Sequence, residues 1–163
     1  MKPMPSRSAS RTYGTISTDE QEEMSGLEFV QGARRRHAAQ YDRPDLGFRY
    51  HEAESGRVVV TAEPKDIHLK PAGTVHGGLA ATMLDSCMGL AIQSTLEKGV
   101  GSTTLEFKIS LVRPITPETG PIKAEGTEIS RTRRVGTAEG RITDSKGCLL
   151  VHGKTTCLIF ESY

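Results

Sequence analysis

The chain has 163 residues, 36% of them hydrophobic, which is enough for one core and too little for two domains. Its 21 Lys and Arg nearly cancel its 20 Asp and Glu, so overall charge offers no grip on nucleic acid or an anionic membrane. Three cysteines, Cys87, Cys148 and Cys157, form no CxxC pair, which argues against a disulfide framework and a thiolate metal site and fits a reducing cytoplasm. No apolar run approaches the roughly 18 residues that span a bilayer, and no apolar stretch follows the first charges as in a signal peptide. A cytoplasmic protein with no membrane or nucleic-acid partner is expected.

Residues 1–24 are rich in Ser, Thr, Pro and charge without an apolar period, and read as a flexible arm. From Ser25 the pattern changes, and residues 25–163 read as one domain. Ser25 with Glu28 three residues on is a capping-box signature, and Leu27 and Val30 continue at helical spacing. The run Arg34-Arg35-Arg36 reads as a solvated helix end rather than a phosphate site. The segment "GFRYHEAESGRVVVTAEP" then predicts a hairpin turning at Glu54-Ser55-Gly56. A long apolar helix is predicted from about Gly77 to Leu96, with Lys98 and Gly99 as its stop signals. After it, Leu105, Phe107, Ile109 and Leu111 alternate with Thr104, Glu106, Lys108 and Ser110, as in a strand with one buried face. Three more strands follow, with Asp144-Ser145-Lys146-Gly147 as the turn before the last. Two strands, one long helix and four strands are not the alternation of a doubly wound fold. The predicted architecture is α+β: an antiparallel sheet wrapped around one central helix.

The chemistry concentrates in "GTVHGGLAATMLDSCMGLAI". Gly77 and Gly78 are poor helix formers, but at a helix start they leave amides uncovered by any Cβ, at the positive end of the dipole, where an oxyanion is stabilised. Close packing of the helix on the sheet explains the glycines equally well. Asp85 sits in the middle of the apolar run and must face water, be paired, or do chemistry. A salt bridge to a nearby Lys or Arg is the bland account. The chemical account needs a second copy: eight residues separate Gly77 from Asp85, about 12 Å along the axis, too far to serve one reacting group. Twofold pairing would bring Gly77 of one copy opposite Asp85 of the other.

With "HLKPAGTVHGGLAATMLDSCMGLA", "STTLEFKISLVRPI" and "RVGTAEGRITDSKGCLLVHGKTT", the chain resembles the hotdog-fold acyl-CoA thioesterases of the PaaI-like (phenylacetic acid degradation) branch, from about Ser25 onward. The resemblance implies a sheet wrapped around a helix, paired into dimers and commonly into homotetramers. It also implies roles: Asp85 as the carboxylate that attacks the thioester or activates water, Gly77 as the amide that polarises the carbonyl from the other subunit. His76 becomes a positioning group beside it, and Thr104 the hydroxyl that in some relatives helps hold the water. One position departs from the family, which usually carries Asn or Gln where this chain has Lys70. An ammonium has no acceptor. Lys70 could pair with Asp85 and slow the reaction, bind an acidic acyl group, or face solvent.

The expected reaction is hydrolysis of an aromatic or medium-chain acyl-CoA, with no separate cofactor, since coenzyme A is part of the substrate. Met83, Leu84 and Met88 are candidate walls of the acyl pocket, Gly78 a further backbone contact, and Arg113, Arg131, Arg133 and Arg134 candidate partners of the coenzyme phosphates. The five histidines show no ligand spacing, and no HExxH, phosphate loop or GxSxG occurs. The alternative function is a catalytically weak acyl-CoA-binding or scaffold protein, for which Lys70 speaks; a dehydratase is disfavoured, because no Asp and His set suits it.

Overall fold

The computed structural model describes residues 16–40 and 47–161. Its elements run α1 (Thr18–Glu22), α2 (Gly26–Gln40), β1 (Phe48–Glu54), β2 (Arg57–Ala62), α3 (Gly77–Gln93), β3 (Val100–Leu111), β4 (Ile122–Arg131), β5 (Val135–Asp144) and β6 (Leu149–Glu161). The strands form one sheet in the order β1-β2-β4-β5-β6-β3, with every neighbouring pair antiparallel. The antiparallel sheet around one central helix expected from the order of elements, and the hotdog fold that the resemblance implies, is therefore the architecture observed.

Turn chemistry places the strands. Glu54 pairs with Arg57 across a two-residue turn in which Gly56 takes φ 78°, a left-handed conformation that glycine adopts without a Cβ penalty. Before β6, Asp144 Oδ1 accepts the amides of Lys146 and Cys148, both at 2.9 Å, and locks the predicted turn.

The sheet meets α3 in a trough made of glycine. Gly126, Gly140 and Gly153 sit opposite one another on β4, β5 and β6. A Cβ on Gly126 would lie 2.4 Å from the backbone carbonyl of Cys87, and one on Gly140 would lie 2.8 Å from Met88 and 2.9 Å from Leu84. The absent side chains let α3 sink onto the sheet, burying Leu84, Cys87 and Met88 completely. Val58, Val60, Ala124, Ala138 and Ile142 complete this core.

Three expectations change. Of the arm expected over residues 1–24, residues 1–15 lie outside the described residues, and the rest is not a flexible arm: Ser17 and Glu20 form a capping box that starts α1, and Ile16 is buried. Composition missed this because a five-residue helix is specified by its cap and contacts, not by an apolar period. The helix expected to reach Leu96 stops at Gln93. Ser94 and Thr95 turn their hydroxyls back onto the carbonyls of Ala91 (2.7 Å) and Ile92 (2.8 Å), competing with the helical pattern. Finally, β3 does not keep one alternating face, because a bulge between Thr104 and Glu106 shifts its register. Thr104 pairs with Cys157 and Phe107 with Thr155, so these two share the helix-facing side, whereas Leu105 falls in the bulge and is exposed.

Candidate functional site

The loop before α3 is a miniature hairpin. Leu69 and Val75 form an antiparallel bridge, Lys70 N–H donates to Thr74 O at 2.9 Å, and His76 N–H donates to His68 O at 2.8 Å. His76 is thereby held as the N-cap of α3, with its Nδ1 accepting from Gly78 N–H at 3.1 Å and its carbonyl accepting from Leu79 N–H at 3.1 Å. Gly78 thus spends its amide on the cap instead of on a ligand. Gly77, at the first helical position, is left as the amide that the helix itself cannot serve. Sequence alone offered both glycines; the cap selects one.

Asp85 lies on the α3 face turned away from the glycine trough. Its Oδ1 accepts a hydrogen bond from Thr104 Oγ1 at 2.9 Å. Gly89, one turn further on, lies beside it: a Cβ there would make ordinary contact with Thr104 Oγ1 at 3.6 Å. Gln93, one more turn along, clamps the start of β3: its Oε1 accepts from Ser102 N (3.0 Å) and Ser102 Oγ (2.9 Å), and its Nε2 donates to Val100 O at 3.3 Å. Beside Asp85, Ser86 hydrogen-bonds the Tyr50 phenol, whose pKa burial nevertheless pushes up. Cys157 Sγ stands 3.9 Å from Thr104 Oγ1, and burial pushes its thiol up as well.

These groups border a cavity of about 460 Å³ between α3, β3 and the N-terminal helices, with Gln21, Met24 and Phe29 on its far side. That volume falls within the range of small-ligand pockets. Among the described residues no cation pairs with Asp85, so the bland salt-bridge account does not hold within the protomer, and Lys70 is exposed in its loop.

Other candidates scatter. Met83, Leu84 and Met88 are fully buried, and none of them lines the cavity; Leu84 and Met88 pack over Gly140, so their place is in the core. Leu90 and Gly89 occupy the wall that they were expected to form. Arg113 donates to Leu149 O near the start of α3. Arg131, Arg133 and Arg134 are exposed at the β4–β5 end, beyond the last turn of α3, where Glu128 meets Thr95. A 17-residue helix is about 25 Å long, so the four arginines form no single cluster in one protomer. Of the residues the sequence reading passed over, Gly89 and Gln93 follow Asp85 at intervals of four and were legible as one helix stripe. Tyr50, Gln21 and Met24 carried no such signal, since only the fold brings them near Asp85.

Comparison with known proteins adds an independent line. Residues 72–150 match the thioesterase superfamily. A Halobacterium salinarum protein named as an esterase is 32% identical over 99 residues, 58% of this chain and 64% of that protein. Human acyl-coenzyme A thioesterase 13 is 31% identical over 62 residues, 38% of this chain and 44% of the enzyme. The chain thus spans less than two thirds of the length of either relative. Among solved structures, the Escherichia coli PaaI protein of the phenylacetic acid degradation operon superposes with TM-score 0.71 at 16% identity, covering 85% of this chain and 98% of that one. A Thermus thermophilus PaaI variant gives 0.63 at 26% identity, covering 70% and 94%. A Streptococcus mutans protein bound to acetyl CoA gives 0.66 at 23% identity, covering 76% and 96%.

Proposed function

We propose that this chain belongs to the hotdog-fold thioesterase superfamily, in its PaaI-like branch, and hydrolyses acyl-CoA thioesters in the cytoplasm at a site completed by a second copy of itself. The observation that carries the reading is the hydrogen bond from Thr104 to Asp85 at the edge of the cavity. With Oδ1 held by Thr104, the other carboxylate oxygen is aimed and free to act. It takes a proton from water as the water oxygen adds to the thioester carbon. The negative charge that develops on the carbonyl oxygen is met by the Gly77 amide at the positive end of the partner's helix. Collapse then breaks the C–S bond, and the proton held by Asp85 passes to the coenzyme A sulfur. Direct attack by Asp85, through a mixed anhydride that water then opens, uses the same groups. His76 contributes by fixing the helix start, and Thr104 by orienting the base.

The need for a second copy follows from Gly77 and Asp85 lying on one helix, about 12 Å apart. The edge of β3 supports the pairing: Phe107 (40% exposed) and Leu111 (60%) lie uncovered on its helix-facing side, beside backbone groups that no strand among the described residues pairs. A twofold partner would continue the sheet and cover them, and such dimers would pair further into a tetramer. In that assembly Lys70, Arg113 and the arginines of the β4–β5 turn are the cations available to coenzyme phosphates. An aromatic or medium-chain acyl group suits the volume and the Tyr50, Phe29 and Leu90 side chains.

Steady-state release of thiol from phenylacetyl-, hydroxybenzoyl-, short- and medium-chain acyl-CoA tests the reading. Asp85→Asn is expected to lower kcat at least about a hundredfold while coenzyme A binding persists. A variant as active as the parent would overturn the role of Asp85. No turnover by the parent, together with tight coenzyme A binding, would favour the binding-protein alternative. A gain in turnover in Lys70→Asn would then assign the loss to Lys70.

A further inference from the structure

The cavity beside Asp85 is not closed by the residues that match the superfamily. Its far wall comes from Gln21 and Met24, with Phe29 behind them, all ahead of the matched span 72–150. The helix that carries Gln21 has five residues, too few to be stable alone, and its position is set by contacts. Ile16 is buried against the backbone of α2 at Gly32. Arg36 reaches back to both carboxylate oxygens of Glu20 at 2.9 and 3.1 Å, and Lys98 pairs with Glu23. Gly26 N–H donates to Leu96 O at 2.9 Å, pinning the junction of α1 and α2 over the end of α3. Gly26 has to be glycine there, since a Cβ would fall 1.7 Å from the Gln93 carbonyl oxygen.

Among the described residues, no Lys or Arg lines this cavity. The rim at Asp85, Gln93, Ser102 and Thr104 is polar, whereas Met24, Phe29 and Leu90 give the chamber an apolar wall; that wall, with no described cation beside it, suits an acyl group and not the phosphates of the coenzyme. We infer that residues 16–25 form a strap across the acyl end of the site, and that Met24 and Gln21 on it determine how long an acyl group is accepted. The inference rests on the thioester-hydrolase reading for where the acyl group enters.

The test combines binding and turnover, so that the two readings can fail separately. Non-hydrolysable thioether analogues of acetyl-, octanoyl- and dodecanoyl-CoA are titrated calorimetrically into the parent, Met24→Ala, Met24→Trp and Arg36→Ala, and kcat/KM is measured for the matching thioesters. Met24→Trp should weaken the longest analogue relative to acetyl by at least about tenfold, the order of discrimination that one or two methylenes give in a fitted pocket. Met24→Ala should move the preferred length upward. Arg36→Ala, which frees the strap without touching the cavity, should flatten the length preference and leave acetyl-CoA turnover as it was. Length ratios unchanged within about twofold across all three variants would overturn the strap, whatever the turnover. Length ratios that move in the binding series of a protein that hydrolyses nothing would uphold the strap and sink the hydrolase reading.

Discussion

The two sides of α3 use glycine for opposite ends. Toward the sheet, Gly126, Gly140 and Gly153 remove side chains so that the helix can pack with no space left, and Leu84, Cys87 and Met88 are buried completely. Toward β3, Gly89 removes a side chain so that space remains, and Asp85, Thr104, Gln93 and Ser102 fill its rim with hydrogen bonds instead of methyl groups. One face is a fitted contact, in which volume is the determinant. The other is a polar edge around a void, where direction matters and a few groups are held at set angles. A chemical site needs the second kind, and the first makes it affordable by anchoring the helix rigidly.

This contrast predicts opposite responses to one added methyl. Gly126→Ala drives a Cβ against the Cys87 backbone, which cannot swing aside, and should cost at least about 2 kcal/mol in denaturant unfolding. An unchanged midpoint would mean that the trough is slack. Thr104→Val keeps the shape and deletes the hydrogen bond to Asp85; kcat should fall roughly tenfold, about 1.4 kcal/mol, with the fold intact by circular dichroism. Equal rates would show that Asp85 needs no orienting donor. Gly89→Ala meets only ordinary contact at 3.6 Å and gains helix propensity, so stability should rise by about 0.5–1 kcal/mol with Thr104 left in place and kcat/KM little changed. Destabilisation there would put Gly89 on the fitted side of the comparison.

The smallest effect is in labelling alone. Burial pushes the Cys87 thiol up to about 12, so at pH 8 it stays in the protonated form that does not alkylate. The sign is unambiguous, since a raised thiol pKa keeps the unreactive protonated form until strongly alkaline pH. Iodoacetamide followed by mass mapping should therefore modify exposed Cys148 in the native protein, Cys157 at the cavity rim more slowly, and Cys87 only on unfolding. Early labelling of Cys87 would mean that the helix lifts from the trough.

The order of strands and helix, the hairpin at Gly56 and the Ser25–Glu28 cap that starts α2 were all legible in the sequence. They depend on local signals: alternation, turn residues, and caps three positions apart. The same locality explains what went astray. A bulge adds one residue without altering composition, so the exposed edge of β3 read as a buried face. Met83, Leu84 and Met88 have the apolar character of pocket walls and of core alike, and only the direction in which Asp85 points decides between them. The glycine trough joins residues from three strands, and the wall at Met24 joins a segment from before Ser25 to a helix some sixty positions later. The chain by itself determined which groups could do chemistry, because reactivity belongs to residue types and their spacing. Tertiary structure decided which amide stays open, which face of α3 holds the cavity and what closes it, because those depend on where distant backbones come to lie.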